Sequence, residues 1–146
     1  MDNDWQKAAH VYSDEVLISH RTDAEKGTPK FERGKSLSDY QCEMIYISGT
    51  AAIRGEESIV TGDVLVQTEI TLENIQHLIG LEEGREKLPE HSGKLELLRV
   101  YLKHEEDAKI VKEDMDKLCP DVPIVYLYAD VCREELLVEI EGIAYL

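Results

Sequence analysis

Aromatic residues, cysteine and basic side chains are all in short supply in this chain. One Trp and one Phe stand beside seven Tyr in 146 residues. The three cysteines, Cys42, Cys119 and Cys132, have neither the close spacing of a zinc site nor the even number of a disulfide framework. A reducing compartment, the cytoplasm, is the expected setting. Five histidines occur, none in a metal-ligand or nucleophile-activating pattern. Phosphate loops, dinucleotide fingerprints and calcium-loop spacing are absent too, so no cofactor or metal is implied. No apolar run reaches the roughly 18 residues of a membrane helix, and the opening Met1-Asp-Asn-Asp-Trp5 has no signal-peptide core. Sixteen basic residues face 31 acidic ones, a net charge of −15. That field repels phosphate backbones and anionic bilayers, so neither nucleic acid nor membrane is an expected partner. The densest basic stretch, 26–35, holds Lys26, Lys30, Arg33 and Lys35.

What is present is enough for one globular domain with a real core: 42% hydrophobic residues, mixed with 32% charged ones. The end of the chain, 123–146, is the most informative. It reads as two strands, 123–129 and 136–146, around a polar turn. In the second, Leu136, Val138 and Ile140 point one way, and Leu137, Glu139 and Glu141 the other. Two carboxylates thus share a face on a strand otherwise apolar enough to be buried. Such a carboxylate needs a partner, a solvent-filled cleft or a raised pKa, and the last two are what acid catalysis uses.

Upstream, residues 15–20 can form a short strand, 22–30 a polar loop, 31–37 a second strand and 44–48 a firm one closed by Gly49. Residues 54–62 read as a loop with a glycine near each end. The clearest helix spans 63–79, with Val64, Thr68, Thr71, Ile75 and Leu78 on one stripe, Thr61 or Asp63 to cap its start and Gly80 its end. A charged connection, 81–93, follows. The near-continuous apolar run 95–102 predicts a strand buried on both faces. Ala108, Val111, Met115 and Leu118 have helical spacing, and Pro120 stops that helix. This order gives an α+β domain: a mixed sheet with two helices packed on one face.

Three motifs then meet a known pattern. Ile45-Tyr-Ile-Ser-Gly-Thr50, Gly62-Asp-Val-Leu-Val-Gln-Thr68 with Leu72-Glu-Asn-Ile75, and Glu139-Ile-Glu-Gly-Ile-Ala144 resemble, in order and spacing, the RidA/YjgF family. The resemblance makes 28–146 the RidA/YjgF-like domain and 1–27 an N-terminal extension. Thr28-Pro-Lys-Phe-Glu-Arg33, Ser48-Gly-Thr-Ala-Ala-Ile-Arg-Gly-Glu56 and Ala129-Asp-Val-Cys-Arg133 are further similar to the C-terminal domain of chorismatases, longer enzymes that hydrolyse the enolpyruvyl ether of chorismate. The resemblance implies a homotrimer, of the chorismate-mutase-like architecture, that binds a small anionic metabolite in clefts at subunit boundaries without a cofactor. Two activities fit it, hydrolysis of an anionic enol ether and deamination of 2-imino acids; a non-catalytic metabolite-binding trimer is the third reading. Ribonuclease labels carried by some relatives sit poorly with the −15 charge.

On that resemblance Glu139 is the catalytic glutamate, a general acid, a general base or a holder of water; the alternative is a solvated carboxylate, the role expected of Glu141. A family arginine that clamps the substrate carboxylate at the start of the fifth strand is replaced by Ile124, and a family tyrosine by Phe31. Arg133 and Arg54 can supply the clamp from other positions. Ser48, Gly49 and Thr50 end a strand where hydroxyls and backbone N–H groups can hold a carboxylate. Cys132 can line the same pocket, or serve as a small hydrophobe in the core. Gln67 and Thr68 read as structural contacts.

Overall fold

The computed structural model describes residues 33–38, 43–54, 57–80 and 94–145. The readings made for 1–27, for Phe31 and for the connection 81–93 lie outside these residues. Strand β1 is Gly34–Ser38, β2 Glu43–Thr50, β3 Ile53–Arg54 and β4 Glu57–Ser58, followed by helix α1, Val64–Ile79. Strand β5, Lys94–Leu102, leads through a 3-10 turn into helix α2, Ala108–Leu118, then β6, Ile124–Tyr128, and β7, Val138–Tyr145. Five strands make one sheet in the order β1-β2-β7-β5-β6, and β3 pairs with β4 apart from it. Only β5 and β6 run parallel in that sheet, and α2 is the crossover that a parallel pair requires.

Local chemistry sets the helix ends. Asp63 caps α1, its Oδ1 accepting from the backbone N–H of Leu65 at 2.9 Å and of Val66 at 3.4 Å. Gly80 closes it at φ 79°, a left-handed conformation that glycine adopts without steric cost. Both helices lie on one face of the sheet. Their inward residues, among them Ile75, Val111 and Met115, form a core with Leu98, Val100 and Ile140, all with no exposed surface. The α+β architecture read from the sequence is the one observed.

Three local expectations differ. Strand β5 is sealed on one face only: Leu98, Val100 and Leu102 are buried, while Arg99 is exposed and Leu97 and Tyr101 are half-buried. No element of this chain's described residues covers that second face. The segment 54–62 is not all loop, because Ile53 pairs with Ser58 and Arg54 with Glu57. Beneath that hairpin Ala51, Ala52, Ile53 and Leu136 form a second small core. Gly49 does not close β2, which continues to Thr50 through a distortion at Ser48 and Gly49. Among the described residues no helix is long and apolar enough to cross a membrane.

Candidate functional site

The distortion in β2 builds the site. Ile47 pairs with Gly142 and Thr50 with Ile140 on β7, so Ser48 and Gly49 together oppose the single residue Glu141. This is a β-bulge, a device that re-aims a strand. A Cβ at position 49 would collide with Oε1 of Glu139. The Glu139 carboxylate therefore lies directly on the Gly49 backbone, and any side chain at position 49 would displace it.

Arg33, immediately before β1, reaches the same point. Its Nη1 donates to the Gly49 carbonyl at 3.4 Å. The Ser48 N–H donates to the Arg33 carbonyl at 3.0 Å, and Thr50 Oγ1 donates to the Ser48 carbonyl at 2.9 Å. Burial pulls the Arg33 guanidinium below its ordinary range, and the Cys132 and Glu139 side chains oppose that shift. Cys132 comes from the loop before β7. Its residue surface is largely exposed, yet burial of the sulfur end leads the causes that push the thiol up, followed by the charge of Glu139 and a hydrogen bond to it, with Arg33 opposing. A thiol held above its usual range is a poor nucleophile at neutral pH.

Glu141, two residues further on the same face, is engaged differently. Arg99 Nε lies 2.9 Å from its Oε1, and the Tyr101 hydroxyl donates to that same oxygen. That bond is the first cause holding the Tyr101 hydroxyl above its ordinary range. Tyr101 stands opposite Glu139 in register, so its ring borders the Glu139 side of the sheet. The two carboxylates therefore occupy unlike settings: Glu141 is ion-paired, and Glu139 sits on the bulge.

Ser48, Gly49, Cys132 and Glu139 thus converge, whereas Thr50 is buried and pairs with Ile140, which places it on the helix-covered face. Two other residues named from the sequence do not join them. Arg54 pairs with Glu73 on the outer side of α1, both about half exposed. Arg133 donates through Nη1 to Ser58 Oγ at 2.6 Å and lies 4.0 Å from Glu135, which ties it to the β3–β4 hairpin. Phe31 lies outside the described residues. Ile124 pairs with Leu98 on the helix-covered face, so the residue at the start of β6 that faces the Glu139 side is Val125, paired with Arg99. Neither carries a charge. Arg33 was visible in the sequence only as one of four basic residues and as the end of a matched motif. Its role depends on the β1–β2 pairing, which no local pattern encodes.

A scan against family models finds no match to the chain. Sequence similarity is clear elsewhere. A chorismatase of Streptomyces rapamycinicus is 36% identical over 136 residues, covering 88% of this chain and 41% of that protein. A 3-hydroxybenzoate synthase of Streptomyces hygroscopicus is 36% identical over 128 residues, covering 79% of this chain and 36% of the other. A chorismatase crystal structure superposes with a TM-score of 0.65 at 30% identity, over 77% of this chain and 35% of that one. The Escherichia coli YjgF gene product gives 0.60 at 18% identity, over 81% of this chain and 89% of that one. The chain has the RidA/YjgF fold. Within it, the chain is similar to one part of the chorismatases, spanning about two-fifths of the length of the curated relatives it matches.

Proposed function

We propose that the chain hydrolyses an anionic enol ether of the chorismate type, with Glu139 as the group that moves the proton. The observation that supports this most is the seating of the Glu139 carboxylate on the Gly49 bulge, beside Arg33 and Cys132. The similarity to chorismatases supplies the substrate class.

The hard step for an enol ether is protonation of its terminal methylene carbon. The protonated Glu139 carboxyl gives its proton to that carbon, and the ether oxygen's lone pair stabilises the resulting cation. Water adds to the cationic carbon and returns a proton to Glu139. The hemiketal then collapses: the bond between that carbon and the ether oxygen breaks, the hemiketal hydroxyl gives up its proton and the departing ring oxygen takes one, so that one enol ether and one water give pyruvate and a ring alcohol. A carboxyl fixed against backbone on one side is held in a single place for this transfer, which is what general acid catalysis requires. Imine deamination is the second reading; the start of β6 offers only Ile124 and Val125 at the place of the family's carboxylate clamp, so either anionic substrate needs its carboxylate held elsewhere.

Chorismate is the substrate to test, with released pyruvate measured by a coupled dehydrogenase. The native protein is expected to release pyruvate, and Glu139→Gln to lower kcat by roughly 10²–10⁴. Glu141→Gln is expected to change it little. Turnover of Glu139→Gln equal to the native rate, or no pyruvate from the native protein, would remove the assignment.

A further inference from the structure

We infer that Tyr101 receives the ring of the substrate, its own ring lying flat against it beside the Glu139 acid; this rests on the hydrolase reading and names a specificity-determining residue of the same site. Tyr101 on β5 and Glu139 on β7 are a cross-strand pair on the sheet face opposite the helices. The side chains of such a pair start about 4.5–5.5 Å apart. Glu139 then turns toward β2, where its carboxylate rests on Gly49. The Tyr101 hydroxyl is tied to Glu141, whose Oε1 also lies 2.9 Å from Arg99 Nε. A ring fixed at its far end loses little further freedom when a ligand settles on it, and tyrosine offers a broad flat contact at low entropic cost. Tyr101 is half-buried, so part of it is packed and part meets solvent.

With its hydroxyl engaged, Tyr101 presents its ring to a ligand. The chemistry of the enol ether puts a partner there. The Gly49 backbone closes the β2 side of the Glu139 carboxyl, so the methylene carbon meets its proton from the β5 side. From that carbon the substrate runs through the cationic carbon and the ether oxygen to the carbon of the ring alcohol. Those few atoms cover the short span of a cross-strand pair and bring the ring over Tyr101. An unsaturated six-membered ring is flat enough to lie there in the offset arrangement that aromatic faces prefer. Among the described residues, the exposed tyrosines of the same face are further off. Tyr46 stands opposite Ile143, four residues along β7 from Glu139, and Tyr145 lies two beyond that.

The test uses two anionic enol ethers that differ in the alcohol they release. Chorismate carries a ring and 2-methoxyacrylate a methyl group, and hydrolysis of either gives pyruvate. Both kinetic constants are measured for each ether on the native protein, Tyr101→Ala, Tyr101→Leu and Tyr101→Phe, with thermal unfolding of each variant as the folding control. Arg99 stays in all of them, so Glu141 keeps its ion pair. The native protein is expected to have the higher kcat/KM with chorismate. Tyr101→Ala is expected to raise KM for chorismate about 5- to 100-fold, the effect of losing a ring-on-ring contact, and to leave kcat and the constants for 2-methoxyacrylate near native. Tyr101→Leu fills part of the space without a flat face and is expected to follow the Ala variant; it also serves if that variant does not fold. Tyr101→Phe keeps the ring and is expected to keep KM close to native. Equal losses for the two ethers, a chorismate KM unmoved in Tyr101→Ala and Tyr101→Leu, Tyr101→Phe as impaired as Tyr101→Ala, or a native protein as efficient with 2-methoxyacrylate as with chorismate, would overturn the ring contact. If the native protein releases pyruvate from neither ether, the hydrolase reading falls, and calorimetry with 3-hydroxybenzoate decides the ring contact alone. Weaker binding by Tyr101→Ala, with Tyr101→Phe like the native protein, keeps the contact; unchanged affinity, or no binding by the native protein, overturns it.

Discussion

The hydroxyl of Tyr126 is buried on the helix-covered face of β6 and finds no hydrogen-bond partner among the described residues. Burial, with the nearby Asp116 and Cys119 side chains, pushes it up to about 12. A buried donor without a partner costs about 1–3 kcal/mol. Tyr126→Phe keeps the ring and removes that cost, so it is expected to stabilise the fold by about 1 kcal/mol, a rise of a few degrees in Tm. The pH dependence has a definite sign. The folded state holds the phenolic proton up to about 12, whereas the unfolded chain releases it near the ordinary value of about 10. Stability from this group is therefore complete below about pH 10 and lost as pH rises toward 12, because there the unfolded state binds fewer protons. Urea titrations at neutral pH and at pH 11 check both parts: Tyr126→Phe should exceed the native protein at both, and by more at pH 11. An equal or smaller margin at pH 11 would show that the hydroxyl does not titrate in that environment. The inward face of Ile124, Tyr126 and Tyr128 follows from simple alternation, but the isolation of one hydroxyl depends on what α2 places above it.

Helix α1 does more than cover the sheet. Gln67 has no exposed surface. Its Nε2 donates to the Glu135 carbonyl at 3.1 Å and its Oε1 accepts from the Leu137 N–H at 2.8 Å, with a longer contact to the Ile59 carbonyl at 3.5 Å. One amide thereby holds the chain entering β7, two residues before Glu139, against the helix. Thr68 and Thr71 are likewise buried and bond back to the carbonyls of Val64 and Gln67. Gln67→Leu is nearly isosteric but strands two backbone groups, each costing about 1–3 kcal/mol. A loss of roughly 2–4 kcal/mol is expected, read as a lower urea midpoint with unchanged m-value. A midpoint within error of the native one would mean that water replaces the amide. The helix itself was legible, because its apolar stripe, Asp63 cap and Gly80 stop agree. The β3–β4 hairpin was not, since two-residue strands carry no period. Nor was the bulge, which is a relation between β2 and β7 rather than a property of either; the Ser-Gly pair in β2 reads from the sequence as an ending and acts as a cradle.

At the scale of the whole molecule the uncovered sheet face is the unsolved surface of a single chain. Leu37, Tyr46, Val125, Leu127 and Tyr145 are each exposed by more than a third, and register places all five on the side that carries Glu139 and Glu141. Apolar area of this kind on a sheet face favours association, and point-group symmetry makes copies of the same chain the simplest cover. The pattern of that face was readable from strand alternation. What covers it was not, because burial against another chain leaves the same apolar signature as burial against a helix; the expectation that β5 is sealed on both faces is the trace of that ambiguity. We predict a homotrimer, as the RidA/YjgF resemblance implies, with the Glu139 bulge at the boundary between copies. Light scattering at micromolar concentration should give about three times the 16.6 kDa of the chain. Val125→Asp places a charge in the middle of the face and is expected to yield monomers, because burying an unpaired carboxylate costs more than a few contacts return. If the cleft is shared, those monomers lose pyruvate release although residues 33, 49 and 139 are intact. A folded Val125→Asp monomer with native turnover would show that each chain holds a complete site, and a native protein that scatters as a clean monomer would remove the trimer altogether.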